Sequence, residues 1–153
     1  MNTKLGTRKR RQGWAQEAKE GQEQAEMNIR LATRDDAQLL LAWRNDPLTR
    51  AMSKSLHEVQ WDEHVRWLNS RLTRIEPHLY IAEIDGAPVG TIRIDGDEIS
   101  YTVAPEHRGR GYATEMLRWA HAQFGSLRAE IKPENVASVK AAERAGHKVE
   151  LLS

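Results

Sequence analysis

Hydrophobic residues recur along this chain at two spacings, and the switches between them predict its elements. Short apolar or alternating runs predict strands at Ile29–Ala32, Leu79–Ile84, Val89–Ile94 and Glu98–Val103. Apolar positions three and four apart predict helices. Leu39, Leu40 and Trp43 share one face of the first. Trp61, Val65, Leu68 and Leu72 share a face of a second, from Gln60 to Leu72. Tyr112, Met116, Leu117, Trp119 and Ala120 mark a third. Leu127–Ile131 then reads as a strand, Val136–Ala145 as a helix and Lys148–Leu152 as a short last strand. Turn residues punctuate the pattern. Thr33-x-x-Asp36 resembles a capping box, with Asp in place of Glu, and Asn45-Asp46-Pro47 stops the helix it opens. Leu48–Ser55 reads as an irregular link. Asp85-Gly86 and Asp95-Gly96 are turns between strands, and Gly146 suits the left-handed position that ends a helix. The predicted order is β-α-α-β-β-β-α-β-α-β.

The stretch Arg108-Gly109-Arg110-Gly111-Tyr112-Ala113 lies between the fourth strand and the third helix. A strand, a glycine-rich turn and a helix N-terminus in that order form an anion site, because the first helical N–H groups have no intrahelical acceptor. Glycine lets the backbone approach a ligand, and Arg108 and Arg110 add positive charge. The expected guest is a phosphate or pyrophosphate. The pattern is neither G-x-x-x-x-G-K-[ST] nor G-x-G-x-x-G, which excludes a nucleotide-triphosphate loop and leaves a dinucleotide fold unsupported. A ligand-free glycine-rich turn is the plain alternative.

Composition narrows the chemistry. The 153 residues have one domain's length, and the absence of Cys excludes a disulfide, a thiolate metal site and a cysteine nucleophile. No long apolar run or signal-peptide core is present, so a cytoplasmic protein with no membrane partner is expected. A net charge of +1 argues against a nucleic-acid footprint. Residues 1–26 look separate from a domain at 27–153. Lys4, Arg8, Lys9, Arg10 and Arg11 form a basic cluster, and Glu17, Glu20, Glu23 and Glu26 follow it. Such a segment cannot bury enough apolar surface to fold alone. A disordered leader, a frayed helix, an extraneous extension and a basic arm for RNA or a ribosome are its possible readings.

Read as Arg-x-x-Gly-x-Ala, Arg108 through Gly111 to Ala113 resembles the acetyl-CoA pyrophosphate loop of the GNAT N-acetyltransferases, and Val103-Ala104-Pro105-Glu106-His107 resembles its lead-in. Asn135-Val136-Ala137-Ser138 and then Ala145-Gly146 resemble the family's Asn-x-x-Ser/Ala segment and the helix end that follows it. The match departs at His147, where the family usually has a Phe packed under the sheet, and at Ala142, where many members have a Tyr. The resemblance implies an α/β (α+β) GNAT fold, with a mixed, mostly antiparallel central sheet flanked by helices. The chain ends soon after its last helix, so the family's usual final strand is expected to be missing or shortened, exposing a sheet edge that a second subunit could cover as a homodimer.

The same resemblance implies direct attack of an amine on the acetyl-CoA thioester, with no metal. The pyrophosphate falls to Arg108, Gly109, Arg110, Gly111, Tyr112 and Ala113, and the pantetheine arm to Tyr101 and Val103. A backbone N–H near Val103 is the expected oxyanion donor. Asn135 and Ser138 fall where the family contacts the cofactor near its thiol. Glu98 and His64 are the candidate bases. With Ala142 in place of Tyr, the proton for the leaving thiolate is left to Ser138, Tyr101 or water. The thiol's ordinary pKa of about 8.5 makes it a fair leaving group unaided.

The acceptor side is carried by Ala42-Trp43-Arg44-Asn45-Asp46-Pro47, then Met52, then Glu63-His64-Val65-Arg66-Trp67-Leu68, within which Trp-Arg-Asn is followed by Glu-His-x-x-Trp. This run resembles acetyltransferases of nucleotide-linked amino sugars, of the pseudaminic acid pathway kind. That implies a small-molecule nucleotide-sugar acceptor, with Arg44 on a phosphate or sugar oxygen and Met52, His64 and Trp67 lining the sugar pocket. Helix packing by the tryptophans is the plain alternative. Two further readings stand beside this one: a protein Nα-acetyltransferase of the ribosomal-protein type, and a degenerate acyl-CoA-binding module.

Overall fold

The computed structural model describes residues 26–153, so the basic cluster and all but the last of the N-terminal glutamates lie outside the described residues. The chain runs β1 (Met27–Leu31), α1 (Ala37–Asn45), α2 (Pro47–Met52), α3 (Trp61–Leu72), β2 (Leu79–Ile84), β3 (Ala87–Asp95), β4 (Glu98–Val103), α4 (Tyr112–Phe124), β5 (Arg128–Ile131), α5 (Val136–Arg144) and β6 (Lys148–Leu151). A 3-10 turn at Arg34–Asp36 leads into α1. The Thr33 capping box is present there: Thr33 N donates to Asp36 Oδ2 at 2.8 Å. The expected irregular link is corrected in its first half, which is the helix α2. Asp46-Pro47 ends α1 but also begins α2. Proline's fixed φ and missing N–H suit a first helical position, and Asp46 Oδ2 accepts from Thr49 N at 3.1 Å.

The six strands form one sheet in the order β1-β2-β3-β4-β5-β6. The pairings from β1 to β4 are antiparallel, while β4–β5 and β5–β6 are parallel. The short β6 pairs with β5 at all four of its residues. By contrast β4 and β5 meet at one register pair, Glu98 with Arg128, reinforced by Arg128 N donating to Asp97 O at 2.7 Å. Beyond that point the two strands part. Ala104 N donates to Val89 O at 2.8 Å, in register with the β3–β4 ladder. An antiparallel ladder turns alternate residues toward alternate neighbours, so Tyr101 and Val103 direct their N–H and C=O into the β4–β5 gap.

Strand alternation sends side chains to two cores. On one face Ala82, Ile92, Ile99 and Ala129 pack with Met116, Leu117 and Ala120 of α4 and Ala142 of α5. On the other, Leu79 and Ile81 pack with Leu40 and Trp43 of α1 and Leu68 of α3. Gly90 sets how close α4 lies to the sheet. A Cβ there would stand 2.7 Å from Thr102 O and 2.8 Å from Met116 Sδ.

His147 replaces apolar packing with a polar bracket. It is buried, its Nδ1 accepts from Leu127 N at 3.0 Å, and its Nε2 donates to Leu117 O at 2.8 Å. One imidazole in its neutral Nε2–H form therefore joins the entry to β5 with α4. Where the family's Phe would pack by apolar contact alone, both ring nitrogens of His147 are satisfied. His147→Phe should keep an aromatic ring, though a larger one, yet strand the Leu127 N–H. It is expected to cost about 1–3 kcal/mol, read as a lowered urea midpoint at unchanged slope.

Candidate functional site

The anion loop takes the conformation its glycines allow. Gly109 and Gly111 have φ of 79° and 80°, in the left-handed region, and a Cβ on either would meet nothing within 4 Å. Backbone conformation therefore demands glycine at both positions, and the space beside them is open. Gly111 is the N-cap of α4 and gives it no side-chain cap. Among the described residues, the N–H groups from Gly109 to Thr114 have no acceptor. Six donors at the positive end of a thirteen-residue helix make an anion cradle, with Arg110 exposed beside it.

Arg108 is placed differently from a free phosphate ligand. Its Nη2 donates to Asp46 Oδ2 at 2.7 Å and to Thr49 Oγ1 at 3.0 Å. The Arg108 bond holds the Asp46 carboxyl below the usual carboxylate range, against a smaller upward push from burial. The sequence places Asp46 in the acceptor-side run and at a helix stop, and Thr49 only in the link that follows; it does not pair either with Arg108. The signal available was Asp before Pro at a helix start.

Tyr101 reaches from β4 to the first turn of α5. Its hydroxyl lies 2.5 Å from Ser138 Oγ and donates to Ser138 O at 3.1 Å. Burial pushes the phenol up from its ordinary value, and the Ser138 bond only partly opposes this. The group is therefore a protonated donor at neutral pH. Asn135 caps α5, its Oδ1 accepting from Ser138 N at 3.4 Å. Ala142 is fully buried in the core, so no acid stands at that position.

On the opposite face of the sheet, Glu98, Arg128 and Glu130 project beside the gap. Lys54, two residues beyond α2, lies 3.2 Å from Glu98 Oε2 and 2.6 Å from Glu130 Oε1. Arg128 pairs with Glu130, and with Asp97 at 3.2 Å. Lys132 Nζ donates to Ala51 O at 2.9 Å. These ties hold the end of α2 and the residues just after it against the Glu98 and Glu130 face of the sheet, beside the gap. Asn45 anchors the far end of that segment, exchanging bonds of 2.9 and 2.8 Å with the backbone of Val59.

His64, a candidate base by resemblance, is enclosed on α3. It is 2 % exposed and stacked with Trp67 at 5.9 Å between ring centres, with Trp61 tilted on its other side. Its Nε2 donates to Ala37 O at 2.9 Å, which leaves Nδ1 buried without a partner among the described residues. Burial pushes its pKa below the ordinary 6.5; the Ala37 carbonyl opposes this and the Arg44 charge adds to it. No hydrogen bond joins His64 to Glu98. Arg44 is exposed, Met52 is half-buried, and Trp67 is half-buried with the Arg93 guanidinium 5.8 Å from its ring centre. Among the described residues no cluster of His, Cys, Asp and Glu has the arrangement of a metal site, and no helix is long and apolar enough to cross a membrane.

The comparisons with known proteins agree with this geometry. Residues 26–148 match the model of the acetyltransferase (GNAT) domain. An uncharacterized protein of Methanocaldococcus jannaschii is 27 % identical over 139 residues. The match takes in 82 % of this chain, which spans only 29 % of that relative's length. A Salmonella typhimurium structure holding acetyl-CoA, named as its cofactor, superposes with a TM-score of 0.64 at 23 % identity, over 80 % of this chain and 79 % of that one. An aminoglycoside acetyltransferase in complex with coenzyme A and kanamycin superposes with a TM-score of 0.61 at 21 % identity, over 79 % and 83 %.

The burial of His64 generates a prediction. Its folded pKa lies below the unfolded value, so the unfolded chain binds a proton first. Stability is whole above about pH 6.5 and is lost as pH falls toward the lower folded value. Urea midpoints measured at about pH 7 and pH 5 should fall less in His64→Gln than in the wild type. Equal falls would show that His64 titrates freely.

Proposed function

This chain belongs to the acetyltransferase (GNAT) family, whose enzymes use acetyl-CoA, and from that premise we propose that it transfers acetyl directly to a primary amine of a small acceptor. The observation that carries this reading is the single-point β4–β5 contact, with the N–H groups of Tyr101 and Val103 turned into the gap beyond it. The free N–H groups from Gly109 to Thr114, with Tyr112 and Ala113 in the first helical turn and Arg110 beside them, receive the pyrophosphate. The open edge of β4 offers the amide-rich pantetheine arm a strand-like partner. In this reading the Val103 N–H binds the oxyanion that forms when a neutral amine attacks the thioester carbon. As the C–S bond breaks, Tyr101 gives its proton to the sulfur, relayed or steadied by Ser138. In this reading Tyr101, on β4, replaces the absent Tyr at position 142.

Glu98 is favoured over His64 as base. It is half-buried and faces the acceptor side, whereas His64 is sealed between tryptophans. Lys54 must leave Glu98 before that carboxylate can take a proton from a substrate ammonium. For the acceptor we propose an amino sugar, nucleotide-linked in its sharpest form. Arg44, exposed and without an acceptor among the described residues, suits a phosphate, and Met52 and Trp67 suit a sugar face. One observation favours the second reading, a protein Nα-acetyltransferase: both candidate bases are engaged, and an α-amino group, with a pKa of about 7.7–8.0, needs little base.

Thiol release from acetyl-CoA, assayed with an amino-sugar nucleotide, an aminoglycoside and an N-terminal peptide as rivals, separates these acceptors. Release with a sugar alone supports the first reading, and release with the peptide alone replaces it with the second. In whichever assay turns over, Tyr101→Phe should lower kcat about 100-fold with the KM for acetyl-CoA little changed. An unchanged kcat would hand the proton to water and remove Tyr101 from the mechanism.

A further inference from the structure

Asp46 holds two parts of the site with one oxygen. Its Oδ2 caps α2 through Thr49 N at 3.1 Å and accepts from Arg108 Nη2 at 2.7 Å. Arg108 is thereby pinned at one end of its fork. Its Nε and Nη1 have no acceptor among the described residues, and its side chain is 33 % exposed. A guanidinium is planar and can serve two oxygen partners at once from different edges. Arg108 is also the first residue of the loop whose free N–H groups form the anion cradle. At its other end the same segment is tied to the far side of the gap, by Lys132 to Ala51 O at 2.9 Å and by Lys54 to Glu98 and Glu130. The stretch from Asp46 to Lys54 therefore spans from the cofactor loop to β5, over the face from which the acceptor must come.

We propose that Asp46 is a positioning residue that couples the two substrate sites: through Arg108 it transmits occupation of the pyrophosphate loop to the acceptor-side segment 46–54. The proposal rests on acetyl-CoA binding at the loop. A phosphate oxygen meeting the unused edge of Arg108 fixes the guanidinium. The fixed guanidinium holds Asp46 and Thr49, and with them the start of α2. Such coupling is reciprocal, so an ordered segment 46–54 must in turn favour the bound cofactor.

Hydrogen exchange with coenzyme A as the probe tests this without knowledge of the acceptor. In the wild type, coenzyme A should slow exchange both at the loop, residues 108–115, and at residues 46–54. In Asp46→Asn the loop should still be protected, at a coenzyme A concentration about 5–30-fold higher, while the protection of 46–54 disappears. Asp46→Glu keeps the charge and should restore both. Equal protection of 46–54 in Asp46→Asn would overturn the coupling. So would a wild type in which the loop responds and 46–54 does not, or a variant that only melts lower without coenzyme A. A wild-type loop that never responds would be different: it would remove the acetyl-CoA reading itself, and this proposal with it.

Discussion

The site depends on two parallel strands that touch at one residue pair. Glu98 and Arg128 close the β4–β5 contact at one end, and the backbone beyond is left without its ladder. Unpaired N–H and C=O groups inside a sheet are costly unless something polar meets them. The gap therefore leaves backbone donors and acceptors that water or a polar ligand has to meet. Strands continuously paired through this point would leave Tyr101 and Val103 bonded to β5 and closed to any guest.

Charge organises what surrounds that gap. On one face the helix-start amides and Arg110 are positive and unspent. On the other, each cation beside the gap already has an anionic or carbonyl partner: Lys54 with Glu98 and Glu130, Arg128 with Glu130 and Asp97, Lys132 with Ala51. Arg108 belongs to both faces, since its backbone opens the loop and one edge of its guanidinium is held by Asp46. Exposed ion pairs of this kind contribute little stability each. Their effect is to fix the end of α2 and the residues after it beside the gap.

Two buried histidines show how an apolar-looking position can hold a polar ring. His147 spends both nitrogens on backbone partners, and so stands where a hydrophobic ring would otherwise fill the space. His64 satisfies one nitrogen and leaves the other dry between tryptophans, which burial tolerates only in the neutral form. The two side chains differ in partner count and not in depth of burial, and depth is the part that spacing can hint at.

The sequence by itself determined every strand to within a few residues, the capping box at Thr33, the glycine-rich loop and the helix start behind it. These are local properties: period, φ and capping depend on near neighbours. It also carried the family pattern from Arg108 to Ala113 and at Asn135 and Ser138. The short helix α2 was written there too, as Asp-Pro, but its six residues are too few for a period to show. Only the tertiary structure decided that Arg108 faces Asp46, that Tyr101 meets Ser138, that Lys54 holds Glu98 and Glu130, and that His64 is sealed. Each of these joins residues from 27 to 76 positions apart, or one residue to a packed interface. Side-chain partnership at that separation is set by how the sheet faces and helices stack, which no window of the chain contains.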